Sequence, residues 1–316
     1  MFDALSTIFE LLDLESARCT RLEAAGDWSL RFPEKRAIKF AAVIRGGCWM
    51  IHPDHQPIRM EAGDVFLLSQ TPAYVLASDP ALPPVDGAVV IDWNASDIGH
   101  WGGDEVVLLG GAFKVSALHE HLLTDALPHL MHIPRDAPSA SGLRRTLEML
   151  EVEFSHSDMG SQLLRHHLAD MLLVQMLRAF SRREDLGGKE VRDSRRNDWL
   201  GALTDPRLAR ALNAIHAEPQ HRWTLKGLAL VSGMSRTSFA EAFRAAIGHP
   251  PMEYVLRWRM QLAEDRIQRG EAIAGIAAEL GYASQSAFGV AFKRLKGYSP
   301  KAASRRAAEM SEVRFY

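Results

Sequence analysis

Short apolar runs separated by turn-forming residues fill the first 135 residues of the chain. Turn segments such as EAGD, DPALPP and GHWGGD supply Gly, Pro and Asp between the runs. The spacing predicts a barrel or a sandwich of antiparallel strands. Six runs have the length and the β-branched content of strands: AIKFAAVIRG, CWMIH, DVFLLSQ, YVLAS, GAVVIDW and DEVVLLGGAFKV.

After residue 140 the apolar positions take the period of a helix. The second helical segment is apolar around much of its circumference, so it can pack on the β domain or pair with a second copy of the chain. Because a wide apolar face usually has more than one partner, we expect residues 141–181 to include a dimer interface. The apolar positions are Leu143, Leu147, Leu150 and Phe154, then Leu164, Leu168, Met171, Leu172 and Leu177.

Residues 182–205 have the composition of a linker, because they are polar, dense in both charges and broken by Gly-Gly. Helical periodicity returns in residues 206–306. The predicted fold class is therefore two-domain α+β. A β-rich domain occupies residues 1–140, the helices of 141–181 follow it, and an all-α domain ends the chain.

Two segments of the last domain share one design, predicted at residues 225–246 and 273–296. In each, a short helix leads through a Gly-containing turn to a second helix, which is a helix-turn-helix unit. A longer helix joins the two units. The second helix of each unit starts at a serine N-cap and carries two phenylalanines one turn apart: Ser235, Phe239 and Phe243 in the first, Ser284, Phe288 and Phe292 in the second.

The charge of the chain is divided unevenly. The net charge is −2, but residues 205–316 hold 17 Lys and Arg against 10 Asp and Glu, whereas residues 1–204 hold 20 against 29. A basic last third favours a polyanionic partner. Only Cys19 and Cys48 are present, and no run approaches the ~20 apolar residues of a membrane span. We therefore expect a cytoplasmic protein without a membrane partner.

The segment SRTSFAEAFRAAIGHPPMEYVLRWRMQLAEDRI followed by IAAELGYASQSAFGVAFKRLKGYSP closely resembles the AraC/XylS family of bacterial transcription regulators. The upstream stretches GDVFLLSQTPAYVLASDP and LLTDALPHLMHIP look like the cupin-type sensor domain of one branch of that family. The resemblance implies a homodimer that binds operator or promoter double-stranded DNA, meets RNA polymerase and associates with the nucleoid when bound. It further implies a cupin-like β-barrel that senses a small-molecule effector. The sequence does not distinguish an activator from a repressor.

In a helix-turn-helix unit the second helix enters the major groove, so DNA contacts are expected on its exposed face. Arginine and lysine suit phosphates or guanine, Glu241 suits cytosine, and Gln285 suits adenine. The family often has an arginine at the position of Val290, and neighbouring Gly289 offers no side chain, so we expect the first unit to carry most of the specificity. The predicted contacts are Arg236, Thr237, Ser238, Ala240, Glu241 and Arg244, then Ser284, Gln285, Ser286, Lys293 and Arg294.

The stretch HPDHQPIRME raises the question of a metal site. Metal-bearing cupins resemble one another in a His-x-His pair, a Glu and a later His; here that pair has become His52-Pro53-Asp54, and Tyr74 stands in the slot of the last His. Because strand neighbours face opposite sides, His52 and His55 need a bulge to converge. We expect no metal and no catalytic residues. The expected effector contacts are Trp49, His52, His55, Glu61, Tyr74 and Trp93.

Three alternatives stay open on the sequence. Redox-sensing relatives of this branch carry a cysteine near the N-terminus where Cys19 lies, which makes Cys19 a redox candidate. A metal-dependent cupin enzyme fused to a DNA-binding domain would need His52 and His55 for activity. A structural nucleoid protein would bind DNA with little sequence preference.

Overall fold

The computed structural model describes residues 4–11, 15–35, 37–69, 72–90, 96–115, 127–156, 158–181 and 199–313. They form two compact units, one of residues 13–195 and one of residues 1–12 together with 196–316. The first unit is β-rich and the second is helical, which confirms the two-domain α+β class. None of the helices in these ranges has the length and apolarity of a membrane-spanning segment.

The β-rich unit contains two sheets, ordered β11-β6-β3-β10-β1-β9 and β5-β4-β7-β2-β8. Most neighbours are antiparallel, but β1 pairs with β9 and β2 with β8 in parallel. The strands are β1 Glu15–Ala24, β2 Ser29–Phe32, β3 Ile38–Arg45, β4 Gly47–Ile51, β5 Ile58–Glu61, β6 Val65–Leu68, β7 Tyr74–Ala77, β8 Val85–Asp86, β9 Ile98–Trp101, β10 Val106–Lys114 and β11 Leu130–Ile133.

The helices are α1 Ala4–Leu11, α2 Ala140–Ser155, α3 Ser161–Ser181, α4 Trp199–Ala202, α5 Pro206–Ala217, α6 Leu225–Ser232, α7 Arg236–Ile247, α8 Pro251–Gln268, α9 Ile273–Glu279, α10 Gln285–Lys296 and α11 Pro300–Val313. Helices α2 and α3 belong to the β-rich unit, where they pack on each other and α3 also contacts β1.

One core of mainly apolar side chains joins the inner faces of both sheets. In β4, Cys48 and Met50 are buried in this core, whereas Trp49 between them lies on the opposite face. Trp28 and Phe66 are also among its fully buried members. The space between the sheets is therefore filled largely by the chain's own side chains.

Two strand predictions need correction. The sheets share no hydrogen-bonded strand pair within the described ranges, so the β-barrel that the resemblance implied is not closed, and the arrangement is the two-sheet sandwich that the strand spacing also allowed. The run GAVVIDW does not start a strand: residues 87–89 form a 3-10 helix, because the Asp86 side chain accepts the N–H of Ala88 at 2.9 Å. Residues 91–93 of that run lie outside the described residues.

Two helices follow residue 140, as their periodicity predicts, and they pack on each other, but not all of the predicted apolar residues are buried. Leu143, Leu147, Leu150 and Phe154 of α2 are buried, as are Leu168, Leu172 and Leu177 of α3. Leu164 and Met171 are instead 49% and 45% exposed. Part of the broad apolar surface of α3 therefore has no partner within the described part of the chain.

Two helices of the helical unit come from segments that were predicted to lie outside it. Helix α1, in the segment expected to form the β domain, packs on α5, and the Ala4 N–H donates to Asn213 Oδ1 at 2.9 Å. Helix α4, in the segment predicted to be a linker, packs on α7. Residues 182–198 of the predicted linker lie outside the described residues.

Candidate nucleic-acid interface

The first helix-turn-helix unit is fixed by three local hydrogen-bonding devices, and its two helices span Leu225–Ser232 and Arg236–Ile247, beside the predicted bounds of 225–246. Thr224 caps α6 by accepting the N–H of Gly227 at 3.0 Å. Gly233 ends α6 in the left-handed conformation at a φ of 67°, which a glycine adopts without strain. Ser235 then caps α7 by accepting the N–H of Ser238 at 3.2 Å.

An aromatic cluster supports α7 from below. Phe239 and Phe243 are fully buried, as predicted from their spacing. The Tyr254 ring meets Phe243 edge-on, with ring centroids 5.5 Å apart, and its hydroxyl lies 2.8 Å from His216 Nε2. His216 in turn stacks on Trp258 at 3.9 Å. The position of α7 therefore depends on side chains from α5 and α8.

The second unit repeats this arrangement. Ser284 caps α10 by accepting the N–H of Ala287 at 3.1 Å, and Phe288 and Phe292 are fully buried. Gly281 precedes α10 at a φ of +78°, and a Cβ at this position would lie 2.4 Å from the carbonyl oxygen of Gln220. The turn therefore requires glycine both for its conformation and for the close approach of another backbone.

A buried carboxylate ties α8 to the second unit. Glu264 is only 3% exposed, and Lys296 Nζ lies 2.5 Å from its Oε2. The Tyr298 hydroxyl also donates to Glu264, and Lys296 donates to Gln261 Oε1 at 3.0 Å. Because leaving such a charge unpaired costs free energy, this network fixes the end of α10 relative to the linking helix.

The structure places all but one of the predicted DNA contacts fully on the surface. Ala240 is half-buried. The hydroxyls of Ser238 and Ser235 hydrogen-bond to each other at 2.9 Å. The exposed contacts are Arg236, Thr237, Ser238, Glu241 and Arg244 of α7, and Ser284, Gln285, Ser286, Lys293 and Arg294 at α10.

The cations of the helical unit differ in what neutralises them. Arg236 and Arg244 of α7, and Lys293 and Arg294 of α10, are exposed and form no salt bridge within the described part of the chain. Many other cations of the unit are held by protein acceptors: Arg207 by Asp205, Arg257 by Glu253, Arg266 by Glu271 and Glu279, Arg269 by Asp265, Lys296 by Glu264, and Arg210 and Arg259 by backbone carbonyls.

The middle of α10 offers little polar chemistry. Val290 is 69% exposed, and a Cβ at Gly289 would meet no atom within 4 Å. An exposed valine can contact the methyl group of thymine but cannot hydrogen-bond a base edge. The expectation that the second unit reads few bases stays a prediction, and this surface is compatible with it.

The predicted effector contacts within the described residues do not form one site. His52 and His55 come together, with ring centroids 4.8 Å apart, because the chain turns at residues 52–55 rather than bulging within a strand. Burial, and then His55, lower the pKa of His52. Tyr74 lies in the core, stacked on Phe32 at 5.1 Å.

The other predicted effector contacts lie elsewhere. Trp49 lies on the outer face of its sheet, because the alternation of side chains along the strand, and not residue type, decides which side faces inward. The guanidinium of Arg59 lies 5.7 Å from the centre of the Trp49 ring. Glu61 is exposed and pairs with Arg135 at 2.7 Å. Trp93 lies outside the described residues. Within the described ranges no three His, Cys, Asp or Glu side chains converge as metal ligands would.

The surroundings of Cys19 are those of a structural cysteine. Its side chain is buried, and its Sγ lies 3.8 Å from the carbonyl oxygen of Arg165. Burial raises the pKa of Cys19 to about 12, and it raises the pKa of Cys48 to about 12 as well. Because the thiolate is the reactive species, this burial disfavours oxidation of Cys19 in the folded conformation, and its redox role stays a prediction.

Sequence reasoning missed a buried cation of the β-rich unit. Lys39 is buried in β3, with only 8% of its surface exposed. The sequence contains an indication of this burial, since Lys39 is the only charged residue in the apolar run IKFAAVI.

Comparison with known proteins finds similarity along nearly the whole chain. A family model described as cupin matches residues 3–182, and one described as a helix-turn-helix domain matches residues 228–306. An AraC-like transcription regulator of Streptomyces lividans is 38% identical, covering 94% of this chain and 96% of its own. A second, from Streptomyces antibioticus, is 36% identical over 94% and 97%. The transcriptional regulator AlkR of Acinetobacter baylyi is 28% identical over 95% and 98%.

Proposed function

Because this chain belongs to the AraC-like family of DNA-binding transcription regulators with an N-terminal cupin domain, we propose that α7 and α10 are its DNA-reading helices. A homodimer would bind operator DNA in the bacterial cytoplasm, associate with the nucleoid and contact RNA polymerase. A small-molecule effector bound in the β-rich unit would control it by favouring one of two conformations. We further propose that it acts by recognition and is not an enzyme.

The observation that carries this proposal is the distribution of unpaired cations. In the helical unit, many cations are neutralised by carboxylates or carbonyls, whereas Arg236, Lys293 and Arg294 on the two second helices form no salt bridge within the described residues. Arg244 forms none there either, although the pKa of Glu253 is lowered by its hydrogen bond to Arg257 and also by the charge of Arg244. Each of these helices also begins at a serine cap, where the helix dipole favours an anion. The phosphates of a DNA backbone would be attracted both by these cations and by the N-termini of the two helices.

The linking helix sets the spacing of the two units. Helix α8 has 18 residues, which at 1.5 Å per residue is about 27 Å. Successive major grooves on one face of straight DNA are roughly 34 Å apart, so each unit can enter its own groove. We therefore expect one chain to protect about 20 base pairs, the span of two helical turns.

The experiment is footprinting of the full-length protein on the DNA flanking its own gene, followed by affinity measurements at several salt concentrations. Arg236→Ala and Lys293→Ala should weaken binding to every sequence and each reduce the salt slope by about 1, because each removes one phosphate contact. Arg257→Ala is the matched control, since this exposed arginine is already paired with Glu253. It should bind as the wild type does.

Two outcomes would overturn parts of this assignment. If Thr237→Ala and Glu241→Ala leave operator choice intact while Gln285→Ala abolishes it, the first unit is not the main reader. If the wild type protects no site and prefers no sequence over random DNA, the protein is a structural nucleoid component instead.

The proposed dimer interface is the exposed apolar surface at the loop end of α2 and α3. It is formed by Met149, Val152, Leu163 and Leu164, which are 47%, 55%, 61% and 49% exposed. An apolar patch is complementary to its own copy, as a two-fold symmetric interface requires. Leu163→Glu should therefore shift the protein to monomers in sedimentation, whereas Val89→Glu, at a 72% exposed valine away from these helices, should not. A Leu163→Glu variant that stays dimeric would place the interface elsewhere.

A further inference from the structure

The two helix-turn-helix units are built on opposite halves of α8. Trp258, in the first half of this helix, stacks on His216 beneath the first unit. Met260 and Ile267, in the second half, share a core with Phe288 of the second unit. A single shared helix fixes the distance between the two units, but packed helices can still slide and turn against one another by small amounts. A fixed angle between the units therefore needs a second connection.

Arg259, at the midpoint of α8, makes that connection. Its Nε donates a hydrogen bond to the carbonyl oxygen of Pro219 at 2.5 Å, and its Nη2 donates one to the carbonyl oxygen of His221 at 2.7 Å. Both carbonyls belong to the loop of residues 218–223, which leads directly into the cap of α6. Arg259 therefore ties the entrance of the first unit to the linking helix.

The same guanidinium also faces the second unit. Its Cζ lies 5.9 Å from the centre of the Tyr282 ring, and Tyr282 meets Phe288 of the second core edge-on, with ring centroids 5.5 Å apart. Beside this ring, the backbone of Gly281 approaches the carbonyl oxygen of Gln220 so closely that no Cβ fits between them. The loop before α6 and the turn before α10 therefore meet at one place, and Arg259 contacts both.

This set of contacts requires an arginine. A planar guanidinium carries five N–H donors in a fixed fork, so it can reach two carbonyl oxygens while its charge lies over an aromatic ring. A lysine ammonium is a point charge on a flexible stem and does not hold two loops in one geometry. Arg259 is also half-buried, which distinguishes it from the exposed cations of α7 and α10.

We propose that Arg259 is a positioning residue that fixes the angle between the two helix-turn-helix units, so that the protein accepts operators with one spacing between the two DNA boxes, one box for each unit. Helix α8 sets the distance between the units, and Arg259 sets their rotation about it. The proposal rests on the proposed function, in which both units read DNA. One added base pair moves the second box by about 3.4 Å and turns it by about 35°, which a rigid pair of units cannot follow.

The DNA test uses the operator found by footprinting, with one base pair inserted or removed between the two boxes. The full-length wild type should lose about tenfold or more in affinity on either altered operator, because only one unit can then dock. Arg259→Met should bind the unaltered operator more weakly than the wild type, but it should lose less than about threefold on the altered ones. Arg257→Met is the matched control, since Arg257 lies on the same helix and pairs with Glu253 of that helix. It should keep the wild-type profile, and an equally steep profile for Arg259→Met would overturn the proposal.

The salt dependence of binding separates positioning from direct DNA contact. Arg259→Met should keep the wild-type salt slope on the unaltered operator; a slope reduced by about 1 would make Arg259 a phosphate contact and would refute its positioning role. Arg259→Lys keeps the charge but not the fork, so it should tolerate altered spacing as Arg259→Met does. A wild-type profile for the lysine variant would show that charge and not geometry matters, and it would refute the proposal too. Arg259→Lys also replaces Arg259→Met in every measurement if thermal unfolding shows that the methionine variant does not fold.

A measurement without DNA keeps this proposal separate from the proposed function. Spin labels on Leu230→Cys of α6 and Val290→Cys of α10, two exposed positions, report the distance between the units in the full-length protein. Excess unlabelled chain ensures that the distances come from within one chain. The wild type should give one narrow distance distribution, and Arg259→Met a broad one. Equal widths would overturn the proposal whether or not the protein binds DNA. The expected difference in widths, found in a protein that protects no DNA site, would refute the proposed function and leave the role of Arg259 in fixing the angle intact.

Discussion

His216 predicts a specific dependence of stability on pH. Its ring is 3% exposed, stacked on Trp258 and hydrogen-bonded to the Tyr254 hydroxyl beneath α7. Burial lowers its pKa to about 3 in the folded protein. Because the folded pKa lies below the unfolded pKa of about 6.5, this histidine contributes its full stabilisation above pH 6.5. The contribution is lost as the pH falls from 6.5 towards 3.

The size of the effect follows from linkage. At pH 5 the unfolded imidazole is almost fully protonated, whereas the folded one is still neutral. The free energy of unfolding should therefore drop by about 2 kcal/mol between pH 8 and pH 5 on account of this residue. The figure is set by the unfolded pKa, because any folded pKa below about 4 gives nearly the same loss.

The assay is urea unfolding at pH 8 and pH 5 of the wild type, His216→Gln and His221→Gln. His216→Gln should be less stable at pH 8, since it loses the stacked ring, but its stability should fall by about 2 kcal/mol less on acidification than that of the wild type. His221 has a 53% exposed side chain, and its variant should keep the wild-type dependence. Parallel curves for the wild type and His216→Gln would show that the buried imidazole is not the group that titrates.

Two further predictions concern the turns and caps of the helix-turn-helix units. Gly281→Ala should abolish DNA binding and lower the melting temperature sharply, because its Cβ would press on the backbone of Gln220. Gly270 has a φ of +81° but lies in open space, so Gly270→Ala should cost only the roughly 1–2 kcal/mol of placing an alanine in the left-handed conformation. Replacing Ser235 or Ser284 by alanine should each cost about 1 kcal/mol in denaturant unfolding. Replacement by glycine should cost much less, because glycine, although it also lacks the capping hydroxyl, leaves the first N–H groups of the helix open to water. Equal losses for alanine and glycine would point to another role for the hydroxyls.

The helix-turn-helix units could be predicted closely because their determinants are local. A serine cap, a glycine turn and two phenylalanines one turn apart all lie within about 25 residues of one another, and each is confirmed. The exposed face of α7 followed from the same periodicity. What these side chains contact on DNA stays a prediction, since the protein alone does not contain the partner.

The β-rich unit was harder because its determinants are distant in sequence. Strand β1 was missed, since ESARCTRLEA has no apolar run; its charged residues are accommodated by pairs such as Arg21 with Glu23, 2.7 Å apart. Its main partner is β10, some 90 residues later. Lys39 was missed for a related reason, because only the register between strands shows which way its side chain faces.

The packing of α1 on α5 has a consequence for how the protein folds during synthesis. Ala4 and Asn213 are 209 residues apart, and all residues of the β-rich unit lie between them. At 5–20 residues per second, α1 leaves the ribosome roughly 10–40 s before its partner exists. The β-rich unit can therefore complete its fold first, while the DNA-binding unit must wait for nearly the whole polypeptide and close last.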